Sequence, residues 1–127
     1  MYYSKLFVGA MGAGKTSSLL REVRDMGSNF GDIYTLKSIL DLREPVNKIV
    51  TRDPTNSLEL VVEGRVHNLR DFKDPNDYEP GTLVVLDELH LFADAVQFIA
   101  DLLDNGCHFV AAGIKFDAFK HPFAYVE

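Results

Sequence analysis

The chain has 127 residues, enough for one domain with its own hydrophobic core, and none of its apolar runs approaches the roughly 20 residues that span a bilayer. Its composition, 46% hydrophobic and 25% charged, excludes a disordered or collagen-like chain. With 13 basic and 19 acidic residues the net charge is −6, which disfavours a broad basic face for nucleic acid but is compatible with a pocket for one small anion.

The first half of the chain predicts a strand, a helix and then shorter strands. An apolar run within residues 4–9 is typical of a buried strand, and apolar residues at helical spacing predict a helix over residues 15–26. Residues 32–36 predict a second strand, and residues 49–50 the core of a third. Residues 58–69, interrupted by a Glu-Gly pair, predict a small hairpin.

The second half of the chain continues the alternation of strands and helices. The sequence LVVL at residues 83–86 is the strongest indication of a buried strand. A helix is predicted over residues 92–103, ended by an Asn-Gly pair, and a further buried strand over residues 109–113. We therefore predict an α/β fold with a mainly parallel sheet flanked by helices.

The segment between the first strand and the first helix matches G-x-x-x-x-G-K-[ST] at every fixed position. Glycines let such a loop surround a phosphate with backbone N–H groups, while the helix start and the lysine add positive charge. A chance match is expected on the order of a few times in a thousand chains of this length; the alternative is a glycine-rich turn with a lone lysine. We predict a P-loop NTPase core of the RecA-like kind that binds a nucleoside triphosphate. Its phosphate-binding residues would be Gly9, Ala10, Met11, Gly12, Ala13, Gly14, Lys15 and Thr16.

Two acidic residues, Asp87 and Glu88, directly follow the strand predicted at residues 83–86. Acids at the carboxyl end of such a strand lie near the phosphate loop, so we expect Asp87 and the Thr16 hydroxyl to hold Mg²⁺. Glu88 would then be the general base that accepts a proton from an attacking hydroxyl or water. The alternative is that both acids cap the helix predicted to begin near Phe92.

The order of five motifs resembles that of the type II, zinc-containing thymidine kinases. In that family a G-P-M-x-x-G-K-[ST] loop is followed by K-x-x-x-D-x-R, I-x-[ST]-H, D-E-x-Q-F-F and A-G-L-D-x-x-F-x-x-x-P-F. The corresponding segments here are residues 9–16, 37–43, 49–53, 87–92 and 112–123. Departures from the family's letters include Arg52, His90, Lys115 and Ala118.

The resemblance implies ATP-dependent phosphoryl transfer to the 5′-hydroxyl of a deoxynucleoside. ATP would place its phosphates on residues 9–16, Asp87 would help to hold Mg²⁺, and Glu88 would accept the hydroxyl proton. Arg43 would stabilise charge on the transferred phosphoryl group, unless it is an ordinary surface arginine. The base pocket would be lined by Met11, Phe92 and Phe123, whose alternative role is packing in the core.

The resemblance also bears on domain organisation and assembly. Family members continue past the P-F motif into a segment with a cysteine-ligated zinc and a loop that closes over the base. Here we expect one domain over residues 1–127 without that segment and without zinc, since Cys107 is the only cysteine. By analogy we expect a homo-oligomer, and the lack of a signal-peptide core near the N-terminus predicts a cytoplasmic protein.

Two other classes of function stay open at this point. Residues 87–90 also match the D-E-x-H motif of helicases, but helicase motors place ATP between two such domains, so this class is the least favoured. The other class is a P-loop ATPase or nucleotide-binding regulatory protein without nucleoside kinase activity. Tight binding of ATP without transfer to any nucleoside would favour it.

Overall fold

A five-stranded parallel sheet forms the centre of the computed structural model, which describes residues 4–9, 15–43, 45–50 and 58–114. In chain order the elements are β1 (Ser4–Gly9), α1 (Lys15–Met26), β2 (Ile33–Ser38), β3 (Lys48–Val50), β4 (Glu59–Val61), β5 (Gly64–Val66), β6 (Leu83–Leu86), α2 (Ala95–Asp104) and β7 (His108–Ile114). The strand order across the sheet is β1-β7-β6-β2-β5, and all neighbours are parallel. This arrangement confirms the predicted α/β fold with a mainly parallel sheet.

The two helices cover opposite faces of this sheet. Successive side chains of a strand point to opposite faces, and β6 shows the consequence. Leu83 and Val85 belong to the buried cluster that contains α1, whereas Val84 and Leu86 belong to the cluster that contains α2. Burial on both faces explains why β6 is a continuous apolar run.

The helix predictions were correct in kind, but α2, predicted over residues 92–103, spans Ala95–Asp104. α1 spans the predicted residues, and α2 ends before Gly106, whose φ of +78° suits the left-handed position after a helix. α2 begins at Ala95 rather than Phe92, because Phe92 has an extended backbone at the end of the 3-10 turn Leu89–Leu91. Phe92 is buried, so it continues the apolar spacing of the helix without being part of it. Neither helix in the described part of the chain is long and apolar enough to cross a membrane.

The hairpin predicted over residues 58–69 was wrong. β4 pairs with β3 in a separate antiparallel ribbon, whereas β5 adds to the edge of the parallel sheet beside β2. Glu63, between the two strands, exchanges hydrogen bonds with Thr35 of β2: its carboxylate accepts from the Thr35 N–H, and its own N–H donates to the Thr35 carbonyl. The chain therefore passes from the ribbon to the sheet at this point instead of folding back.

Candidate active site

Of the predicted site residues that the structure describes, Gly9, Arg43, Asp87 and Glu88 lie at or beyond the ends of parallel strands, at the edge we call the carboxyl edge. β1 ends there at Gly9, and α1 begins at Lys15; residues 10–14 of the predicted phosphate loop lie outside the described residues. β6 ends directly before Asp87. Since β7 lies between β1 and β6, the two strands are two strand spacings apart, or about 10 Å.

The beginning of α1 has the electrostatic character of an anion site. Its first turn contains no acidic residue, and the free N–H groups and dipole of a helix start favour negative charge. Thr16 lies in this turn and is half-buried. These features fit a phosphate group bound at the carboxyl edge.

The residues present also fit a magnesium ion beside such a phosphate. Thr16 and Asp87 supply the hard oxygen donors that Mg²⁺ prefers. Within the described ranges no three His, Cys, Asp or Glu side chains are grouped closely enough to hold a metal by themselves. Mg²⁺ is usually bound by one or two carboxylates, with the other positions filled by substrate phosphates and water, so the donor set is appropriate for a nucleotide-bound ion.

Arg43 joins two buried carboxylates at the carboxyl edge. Its Nε donates to Asp41 Oδ1 at 2.8 Å and its Nη2 to Asp41 Oδ2 at 2.6 Å, while Nη2 also donates to Asp87 Oδ2 at 2.8 Å. The side chains of Asp41 and Asp87 are 2% and 1% exposed, against 47% for Arg43. Arg43 is therefore not an ordinary surface arginine, because its charged group is held by two acids.

The two carboxylates respond differently to this shared partner. Burial raises the pKa of Asp87, and the single hydrogen bond and charge of Arg43 only partly oppose it. Burial would also raise the pKa of Asp41, but here the hydrogen bonds and charge of Arg43 win and the pKa is lowered. The hydrogen bond to Asp41 in turn raises the pKa of Arg43. Asp41 is thus the anchor of the guanidinium, whereas the carboxylate form of Asp87 would be stabilised by a further cation.

Glu88 has an unusual backbone for a residue with a side chain. Its φ of 52° and ψ of 54° are left-handed, and it is the one non-glycine residue with positive φ in the described ranges. That conformation costs about 1–2 kcal/mol. The Glu88 side chain is 15% exposed, with Oε1 3.7 Å from Nε2 of His90. Strained residues are enriched at active sites, which favours a functional role for Glu88.

The structure contradicts the capping alternative for the acidic pair. α2 begins seven residues beyond Glu88, its N-cap is Asp94, and Glu88 makes no capping hydrogen bond with its side chain to the 3-10 turn that follows it. Phe92 lies in the core cluster with α2, and its role in a base pocket stays a prediction. Met11 and Phe123 lie outside the described residues.

Sequence reasoning missed two charged residues of this site. Asp41 anchors Arg43, and Lys37 is a buried cation whose Nζ contacts the backbone of the Arg43 segment. Both residues belong to the K-x-x-x-D-x-R motif, of which only the arginine was given a role. The signal that could have found them is their place after the strand predicted over residues 32–36: Lys37 follows it directly and Asp41 stands four residues further on, and a charged residue that the sheet buries needs a partner.

Comparisons with known proteins relate the chain to one family. The sequence model of the thymidine kinase family matches residues 4–127. A thymidine kinase of Mesoplasma florum is 26% identical over 125 residues, 97% of this chain and 61% of the relative. Those of Oryza sativa subsp. japonica and Bdellovibrio bacteriovorus are 28% and 30% identical, over 95% and 94% of this chain and 45% and 56% of the relatives. The chain spans about half the length of these curated relatives.

Proposed function

Because this chain belongs to the thymidine kinase family, we propose that it transfers the γ-phosphoryl group of ATP to the 5′-hydroxyl of a deoxynucleoside. The observation that carries the proposal is the Asp41–Arg43–Asp87 cluster beside Glu88, on the edge where β1 leads into the predicted phosphate loop. Ligands of parallel α/β sheets bind at this edge. Thymidine, the nucleoside in the relatives' names, is the first acceptor to test.

In this proposal ATP is held at the start of α1. Backbone N–H groups of residues 9–16 and the Lys15 ammonium bind the phosphates, which is the chemistry of the G-x-x-x-x-G-K-[ST] pattern. Asp87 and Thr16 would hold Mg²⁺, which when bound would supply positive charge against the triphosphate. The raised pKa of Asp87 supports this role, since a nearby cation offsets the cost of a buried carboxylate.

The chemical step then needs one base and one additional cation. Glu88 accepts the proton of the 5′-hydroxyl while the hydroxyl oxygen forms a bond to the γ-phosphorus. The bond from that phosphorus to the β,γ-bridging oxygen breaks, and ADP leaves with the bond's electron pair. Arg43, kept in place by Asp41, stabilises the charge on the transferred group. Met11, Phe92 and Phe123 are proposed to contact the base of the acceptor.

The direct test is a panel of nucleosides incubated with γ-labelled ATP and Mg²⁺. We expect label in a nucleoside monophosphate, with thymidine included as acceptor. Lys15→Ala should abolish or strongly weaken ATP binding by calorimetry. Lys5→Ala, which removes an exposed lysine paired with Glu22, is the matched control and should bind ATP like the wild type.

Other outcomes would replace the proposal. ATP binding without label in any nucleoside would indicate a nucleotide-binding regulatory protein. ATP hydrolysis that rises on addition of DNA or RNA would indicate the helicase-like class. Unchanged ATP affinity in Lys15→Ala would exclude the phosphate site itself. The proposed homo-oligomer and cytoplasmic location are tested separately, by light scattering and by imaging of a tagged chain.

A further inference from the structure

Lys37 is a buried cation that the proposed chemistry does not use. It belongs to β2 and is 3% exposed. Its Nζ donates to three backbone carbonyl oxygens, those of Arg43 at 3.2 Å, Pro45 at 3.1 Å and Lys48 at 3.5 Å. A lysine is almost never buried unless its charge is satisfied, and here all three donors of the ammonium have backbone acceptors.

A second cation contacts the same segment from the neighbouring strand. Nη2 of Arg65, in β5, donates to the carbonyls of Ile39 at 3.4 Å and Asp41 at 3.3 Å. We call the described residues between β2 and β3, residues 39–43 and 45–47, the Arg43 loop. Lys37 and Arg65 thus bind the Arg43 loop and the first residue of β3 through backbone carbonyls.

Backbone hydrogen bonds also join the ends of the Arg43 loop to neighbouring strands: the Ile39 N–H donates to the Val66 carbonyl at 3.0 Å, and the Asn47 carbonyl accepts from the Val62 N–H at 2.9 Å. The apolar side chains of the loop are poorly buried: Ile39 is 45% exposed, Leu40 55% and Leu42 76%, and Pro45 and Val46 are half-buried. Hydrophobic burial therefore contributes little to its position, and polar contacts decide it. Arg65 is exposed, so water competes with its long hydrogen bonds. The bonds of Lys37 lie in a buried, low-dielectric environment, where they are stronger and costly to lose.

We propose that Lys37 is a positioning residue, which holds the backbone of the Arg43 loop so that the guanidinium of Arg43 reaches Asp87 while bound to Asp41. The Lys37 ammonium contacts backbone carbonyls only, and the proposed function gives it no contact with ATP or the nucleoside. The effect of Lys37 on the transfer rate rests on the proposed function, whereas its effect on the position of the Arg43 side chain does not. Without the three hydrogen bonds of Lys37 the loop can shift, and a displacement of about 1 Å can lower the rate about 10²-fold.

The experiment compares Lys37→Met, which keeps the length of the side chain but removes its donors, with Arg65→Met as matched control. The first readout is solvent exchange of the Arg43 Nε–H by ¹⁵N NMR, with the signal assigned by its loss in Arg43→Lys. The second is the steady-state kinetics of phosphoryl transfer. We expect Lys37→Met to speed exchange at least about tenfold and lower kcat about 10- to 100-fold. The KM for ATP should stay within about twofold, and Arg65→Met should change each value by less than about threefold.

The outcomes separate positioning from a merely structural role. A structural role would lower the thermal stability of Lys37→Met but leave Arg43 exchange and kcat per folded molecule unchanged, and that result overturns the proposal. An equal effect of Arg65→Met also overturns it. If Lys37→Met does not fold, the shorter Lys37→Leu, which also lacks donors, is measured, and wild-type exchange in that variant overturns the proposal. If the wild type phosphorylates no nucleoside, the proposed function fails, and the exchange comparison still decides the role of Lys37.

Discussion

Replacing Asp41 by asparagine removes the anchor of Arg43 with almost no change in volume. The Asp41 carboxylate accepts three hydrogen bonds from Arg43: from its backbone N–H at 3.2 Å, from Nε at 2.8 Å and from Nη2 at 2.6 Å. Asparagine keeps one acceptor oxygen, and its amide group would face the guanidinium with donors instead of acceptors. The variant therefore loses the charge and at least one of these bonds.

The size of the effect follows from the burial of the two partners. A hydrogen bond to a charged group contributes about 1.5–3 kcal/mol. Because half of the Arg43 side chain is in contact with water, solvent can replace part of the lost interaction, and we expect a loss of about 1–2 kcal/mol. For a chain of this length that corresponds to a fall in Tm of about 3–8 °C. Since Arg43 is no longer held in place, kcat should also fall about 10- to 100-fold.

Thermal unfolding and transfer kinetics measure these effects, and Asp25→Asn supplies a matched control. Asp25 pairs with Arg24 at 3.0 Å, but both side chains are about half exposed or more. Its replacement should change stability by less than about 1 kcal/mol. Equal changes in Tm for the two variants would refute the argument that burial makes Asp41 the anchor. An unchanged kcat in a folded Asp41→Asn protein would refute the role of Arg43.

Three further predictions concern the acidic pair and the sheet edge. Glu88→Gln should bind ATP like the wild type by calorimetry yet lower transfer at least about 10²-fold, and equal rates would exclude Glu88 as the base. Because burial raises the folded-state pKa of Asp87, its contribution to stability falls as the pH rises above its unfolded pKa of about 4. In urea unfolding, the stability of Asp87→Asn should therefore rise relative to that of the wild type from pH 4 to pH 7, and a constant difference would contradict the assigned shift. A Cβ on Gly64 would overlap the ring of Phe72, so Gly64→Ala should lower the free energy of unfolding by about 1–3 kcal/mol. The control is Gly31→Ala, whose Cβ would meet nothing within 4 Å, and its free energy of unfolding should change little.

Local patterns were sufficient for the helices and the buried strands. The bounds of α1 follow from apolar residues at helical spacing and a glycine directly after its last residue, all of them neighbours in the sequence. β6 was recognised because a strand covered by helices on both faces is apolar at every position. The start of α2 was misplaced because burial of Phe92 continues the helical spacing, although its backbone is extended.

Local sequence patterns did not predict which strands pair with each other. The residues of β4 and β5 have the composition and spacing of a hairpin, but each strand pairs with a different neighbour. Which edge a short strand joins depends on the edges that the rest of the chain leaves available, and that is a property of the whole sheet.

The candidate site divides in the same way. Asp87 and Glu88 were predicted as site residues from their place directly after a buried strand, and Arg43 from the resemblance to the thymidine kinase motifs. Only the folded chain brings Arg43 to Asp87, 44 positions away, and buries the side chains of Lys37 and Asp41. Residue types follow from chemistry and can be recognised one at a time, whereas partners, burial and pKa values depend on distances between remote segments, which exist only once the sheet has assembled.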